Sequence, residues 1–147
     1  MRREALTALQ GSDLIIHAGD VGKPEILEHL RAVAPVLAVR GNVDKGAWAT
    51  NLPMTAVAEA GSKLIYVLHN IGQLDFNPAA AQFHAVVTGH SHKPYHIERD
   101  GVMYLNPGSA GPPAISITSH GCSNRLARII VDRRVYRPLG IKTAQMA

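Results

Sequence analysis

The stretch Leu14-Ile15-Ile16-His17-Ala18-Gly19-Asp20 is a short apolar run that passes directly into a polar, glycine-containing cluster. Three later stretches repeat the pattern. Val36-Leu37-Ala38-Val39 runs into Arg40-Gly41-Asn42-Val43-Asp44, Leu64-Ile65-Tyr66-Val67-Leu68 into His69-Asn70, and Ala85-Val86-Val87 into Thr88-Gly89-His90-Ser91-His92. Short apolar runs bounded by turn residues read as buried strands. In an α/β sheet, ligands bind outside the carboxyl ends of the strands, so the four clusters are expected along one edge. A carboxylate, an amide oxygen and three imidazoles gathered there make a mixed nitrogen and oxygen donor set. Such a set suits Mn²⁺, Fe, Zn²⁺, Ni²⁺ or Co²⁺ better than Ca²⁺ or Mg²⁺, which prefer all-oxygen shells. Gly19, Gly41 and Gly89 stand one residue ahead of Asp20, Asn42 and His90. Each is expected to let its strand turn sharply out of the β region.

Around these runs the chain reads helix, strand, helix, strand, and then becomes mainly antiparallel. Arg3–Gln10 has helical spacing, and Pro24 opens a second helix with Ile26, Leu27 and Leu30 on one face. Thr55–Glu59 and Leu64–Leu68 flank Gly61-Ser62 as a hairpin, and Pro78–Phe83 reads as a short helix. His96–Arg99 and Val102–Leu105 flank Asp100-Gly101, a type I′ hairpin signal. Ile115–Thr118, Leu126–Val131 and Val135–Pro138 finish as an antiparallel set. The expected fold is mixed α/β: one domain over residues 1–147, with two mixed sheets packed together and helices outside.

Composition narrows the function classes. A chain of 147 residues fits one domain, and 46% hydrophobic with 18% charged residues is a globular balance. One cysteine, Cys122, excludes a disulfide scaffold. The apolar runs are far shorter than the ~20 residues of a spanning helix, and Met1-Arg2-Arg3-Glu4 leads into no apolar signal core. A cytoplasmic setting without a membrane partner is therefore expected. The net charge of +4 gathers at Arg125, Arg128, Arg133, Arg134, Arg137 and Lys142. These read first as a solvated face on edge strands. Nucleic acid is a less favoured partner, since aromatic residues that stack on bases are only 5%. A homo-oligomer stays open.

Gly19-Asp20, Gly41-Asn42-Val43-Asp44, His69 and Gly89-His90-Ser91-His92 together resemble the ordered motifs of the calcineurin-like metallophosphoesterases. Asn106-Pro107-Gly108-Ser109 resembles a further motif of the small bacterial and archaeal phosphodiesterase branch. The resemblance is clear over residues 3–110. It implies a four-layer sandwich of two mixed sheets flanked by helices. It also implies hydrolysis of small phosphate esters by a bridging hydroxide in a dinuclear metal site, with Mn²⁺ foremost among the cofactors. Asp20 would bridge two cations, Asn42, His69 and His90 would complete one shell, and His92 would reach the other cation. Asp20, Asn42 and His90 would carry catalysis. His17, Arg40, Asp44 and Asn106 would support the ligands or touch substrate.

Two departures from the family pattern bear on activity. The family opens with a strand ending in Asp-x-His, which supplies further ligands of one cation and lies inside a sheet. That first strand is expected to be missing here, leaving its neighbours' backbone groups unpaired. Either the natural start lies upstream of Met1, which is the favoured reading, or the chain is a truncated form with an impaired site. The alternative function is then a non-catalytic or catalytically impaired interaction module, for which a retromer subunit of the superfamily is the precedent. A nucleic-acid role for the C-terminal arginines ranks third. The second departure is Val43, which stands where many relatives carry a proton-donating histidine. Either the leaving group departs unaided, or His17, His96 or Lys93 donates.

Overall fold

The computed structural model describes residues 9–108, together with the backbone of strands at 114–119, 127–131 and 134–136. The expected Arg3–Gln10 helix lies outside these residues except at its end, where Leu9 packs on Ile15, Leu30 and Ala34. The side chains of the C-terminal basic cluster, Cys122 and Ser109 also lie outside them.

Strand β1 (Leu14–His17) is buried from Ile15 onward. It pairs in parallel with β2 (Val36–Ala38), with Ile15 opposite Val36 and His17 opposite Ala38. Between them runs α1 (Pro24–Arg31), with proline at its first position and Leu27 and Leu30 turned inward. The other edge of β1 pairs antiparallel with β8 (Ala114–Ser119), His17 facing Ala114. Strands β9 (Ala127–Val131) and β10 (Arg134–Tyr136) complete a five-stranded sheet in the order β10-β9-β8-β1-β2. The expectation of unpaired neighbours around a missing strand is thus not met at β1, because β8 and β2 occupy both of its edges.

The second sheet has the order β3-β4-β5-β7-β6. Strands β3 (Thr55–Ala60) and β4 (Lys63–Leu68) form the first expected hairpin. Strand β5 (Ala85–Val87) pairs in parallel with β4 and with β7 (Val102–Asn106). Strand β6 (Tyr95–Arg99) turns into β7 through Asp100 and Gly101, both at positive φ (52° and 75°), the geometry of a type I′ turn.

Two-residue periodicity decides which side chains meet between the sheets. Ile16, Ala18 and Val39 from one sheet pack on Ala58, Ala60, Ile65, Val67, Ala85, Val87 and Leu105 from the other. Each fully buried Ile, Val or Leu there contributes about 1.5–3 kcal/mol. The alternate residues face outward: Ile15 lies under α1, while Leu68, Val86 and Val102 pack beneath Leu74 and Ala79.

One expected element is different. Residues 78–83 form a single capped turn rather than a helix. Asn77 Oδ1 accepts the N–H groups of Ala79 and Ala80, and Gln82 leaves the right-handed region at φ 62°. A segment this short has too few propagating hydrogen bonds to extend a helix. Among the described residues no helix is long and apolar enough to cross a membrane.

Candidate metal centre

Four strand ends converge where the two sheets meet. Strands β1 and β2 deliver the Asp20 and Asn42 loops from one sheet, and β4 and β5 deliver His69 and His90 from the other. The sharpest contact is Nε2 of His69, 2.8 Å from Asn42 Oδ1 and 3.4 Å from Asp20 Oδ1. His90 Nδ1 stands 3.0 Å from the same Asn42 oxygen. The two imidazoles cross edge to face, with centroids 5.1 Å apart.

The other nitrogen of His69 sets its chemistry. His69 Nδ1 lies 2.8 Å from the carbonyl oxygen of Ala18, an acceptor only, so the ring donates there. A neutral imidazole that donates from Nδ1 presents a lone pair at Nε2. Nε2 of His69 faces two oxygens, a carboxylate and an amide carbonyl. That juxtaposition calls for a positive charge among them, carried by a proton on Nε2 or by a cation, and donation from the other ring nitrogen is the usual arrangement of a ligating histidine. The donor set therefore fits a divalent ion of mixed nitrogen and oxygen preference. Among the described residues no three His, Cys, Asp or Glu side chains are gathered closely enough to hold an ion by themselves. The amide of Asn42 is what closes the cluster. His92, at φ 55°, is exposed, and among the described residues it forms no hydrogen bond or ion pair with the cluster.

Gly19 meets the sequence expectation, and Gly41 and Gly89 serve a further purpose. Of Gly19, Gly41 and Gly89, only Gly19 lies at positive φ (89°), while Asp20, His90 and His92 themselves occupy the left-handed region. Residues with a Cβ are held there at a cost of about 1–3 kcal/mol each. Gly41 is required for close approach instead. A Cβ at Gly41 would collide with the backbone nitrogen and Oδ1 of Asp20 and lie 2.9 Å from its Cα. One at Gly89 would lie 2.7 Å from Ala18 O. Gly41→Ala is accordingly expected to push the Asp20 and Asn42 loops apart. The outcome should be a loss of about 1–3 kcal/mol of stability in chemical denaturation, with weakened Mn²⁺ binding by calorimetry.

Asp44, 1% exposed, ties the same two loops. Its carboxylate accepts the N–H of Gly22 at 2.9 Å and that of Gly41 at 2.7 Å, and Arg40 Nε donates to its carbonyl at 3.4 Å. Arg40 is thereby turned onto the loop backbone. Asn70, after His69, accepts the Gly72 N–H at 2.9 Å and caps the turn Ile71–Gln73. Trp48 is half-buried against the cluster of Val21, Leu27 and Ala38.

His17 sits on β1 just below this centre, 1% exposed, with neither ring nitrogen hydrogen bonded. Burial pushes its pKa down to about 4, against the opposing pull of the Asp44 and Asp20 carboxylates. The ring is neutral at pH 7 and out of solvent, which counts against the proton-donor role weighed from sequence. Its folded pKa lies below the unfolded value near 6.5, so the unfolded chain binds more protons between those two limits. Stability should hold above pH 7 and fall by about 3 kcal/mol as pH drops from 6.5 to 4. Denaturant melts across that window check this, and His17→Leu should flatten the dependence.

Comparison with known proteins places this geometry in a family. Residues 1–124 match the calcineurin-like phosphoesterase superfamily domain. A probable metallophosphoesterase of Methanothermobacter thermautotrophicus is 30% identical over 116 residues, covering 74% of this chain and 67% of its own. A probable metallophosphoesterase of Methanocaldococcus jannaschii is 33% identical over 115 residues; the match spans 73% of this chain but only 58% of that protein. In architecture the chain is similar to Entamoeba histolytica Vps29, whose crystal structure holds Zn²⁺. The TM-score is 0.67 at 22% identity, covering 92% of this chain and 87% of that one. Motif order, converging strand ends and sequence match agree: the chain belongs to the calcineurin-like phosphoesterase superfamily.

Proposed function

We propose that the protein is a metal-dependent phosphodiesterase that hydrolyses small phosphate esters in the cytoplasm, with Mn²⁺ as its preferred ion. The observation that carries this reading is the convergence of His69 Nε2, Asn42 Oδ1 and Asp20 Oδ1 on one another. Asp20, Asn42, His69 and His90 would hold one divalent cation, and Asp20 with His92 would serve a second. Divalent ions bound there would supply an activated water and neutralise the phosphoryl oxygens.

The chain's own residues position and exclude. Asp20 is held by the Val43 N–H, which donates to its Oδ1 at 3.2 Å. His69 is locked by Ala18, and Asn42 is shared between two imidazoles. Val43, 51% exposed, offers no proton to a leaving group. The site therefore favours diesters whose leaving group is acidic enough to depart without an imidazole from that position.

One observation favours a second reading, an interaction module with little or no catalysis. Among the described residues no three His, Cys, Asp or Glu side chains gather as a metal group, and His92 is exposed. A single assay separates the two. Turnover of bis(p-nitrophenyl) phosphate with Mn²⁺, abolished by EDTA and restored by Mn²⁺, supports the enzyme. Tight Mn²⁺ binding without turnover supports the module.

A further inference from the structure

We propose that Asn106 is a positioning residue whose side-chain amide clamps the His90 loop, a role that rests on the reading of the cluster as a cation site. Asn106 ends β7 and is 2% exposed. Strand β7 runs parallel beside β5, whose carboxyl end carries the His90 loop, and Thr88 N–H donates to Leu105 O at 2.9 Å. The next residue on β7 is thus level with Gly89. Asn106 Nδ2 donates to the carbonyl of Gly89 at 2.5 Å and to Ser91 Oγ at 3.1 Å, the residues on either side of His90. Its Oδ1 accepts the N–H of Gly108 at 2.9 Å.

His90 stands between those two anchor points at φ 62°, a conformation its own backbone disfavours. The loop is otherwise fastened by Gly89 N–H donating to His69 O at 2.9 Å and Ser91 N–H donating to Gly89 O at 2.7 Å. Gly89 is therefore gripped from β4 through His69 and from β7 through Asn106. With both flanks fixed to rigid strands, the His90 ring is kept 3.0 Å from the Asn42 oxygen.

The two ends of the amide have separable tasks. Oδ1 closes the 106–108 turn, and Nδ2 holds the loop. A merely structural role needs only the first. Asn106→Asp keeps the oxygen that accepts from Gly108 and removes both Nδ2 donors, while Asn106→Ala removes everything.

Two measurements decide the matter: hydrogen exchange of the Gly89, Ser91 and Gly108 amides in metal-free protein, and Mn²⁺ affinity. For Asn106→Asp, exchange at Gly89 and Ser91 is expected to accelerate about tenfold with Gly108 still protected. The Mn²⁺ Kd should rise about 10–100-fold. Asn106→Ala should lose protection at all three amides. Unchanged exchange at Gly89 and Ser91 in Asn106→Asp overturns the clamp. Accelerated exchange with an unchanged Kd overturns its role in placing His90. If wild-type protein binds no Mn²⁺, the cation reading falls, and with it the placing role; the exchange result alone then decides whether the clamp exists. Should Asn106→Asp fail to fold, Ser91→Ala removes one arm. A smaller acceleration at Gly89 then supports the clamp, and none overturns it.

Discussion

Replacing Asp20 by alanine is expected to lower phosphodiester hydrolysis at least about 100-fold. Asp20 carries the one negative charge in the cluster, and its Oδ1 lies 3.4 Å from His69 Nε2. Without it the two imidazoles and Asn42 offer a cation only neutral donors. Charge and conformation must be separated in the test, because Asp20 sits at φ 58°. Aspartate and asparagine tolerate that region better than alanine. Asp20→Asn keeps the backbone preference and an Oδ1 to accept the Val43 N–H, and removes only the charge. Asp20→Asn should therefore melt close to wild type, bind Mn²⁺ far more weakly, and lose most of the activity. Asp20→Ala should show the same loss of activity with an added drop in stability.

The largest effect on stability is expected at Asp44. Its carboxylate is the acceptor for two loop N–H groups, Gly22 and Gly41, in a site 1% exposed. Asp44→Ala would leave the buried Gly41 donor without a partner, at about 1–3 kcal/mol, and return the donor of exposed Gly22 to water, at about 0.5–1.5 kcal/mol. A total near 1.5–4.5 kcal/mol corresponds to a fall in Tm of about 3–18 °C for a chain of this size. The same two loops carry Asp20 and Asn42, so Mn²⁺ affinity should fall in parallel. Asp44→Asn keeps one acceptor and should lie between alanine and wild type in both measurements. Thermal melts with and without Mn²⁺ read the two effects together, since an ion bound only by the folded state raises Tm.

What the sequence discloses here depends on the range of the interaction. The strands at Leu14–His17, Ala85–Val87 and the Asp100-Gly101 hairpin are legible because apolar runs and turn chemistry are local. The convergence of Asp20, Asn42, His69 and His90 is legible because each residue follows a strand, and strand ends share an edge. The roles of Gly41 and Gly89 are not legible, because close approach depends on another chain segment 21 residues or more away. Asp44 and Asn106 belong to the same class. A local reading makes each a cap or turn residue, and Asn106 does accept from Gly108. Its grip on Gly89 and Ser91 exists only once β7 lies beside β5. The 78–83 segment failed in the opposite direction: a plausible local helix pattern was cut short by Gln82 and by the Asn77 cap.

The most direct test is an anomalous difference map from crystals of the full chain soaked in Mn²⁺. An ion coordinated by His69 Nε2, Asn42 Oδ1, an Asp20 carboxylate oxygen and His90 Nδ1 is the expected result. A map with no peak among these four side chains, at Mn²⁺ concentrations that support turnover of bis(p-nitrophenyl) phosphate, would contradict it.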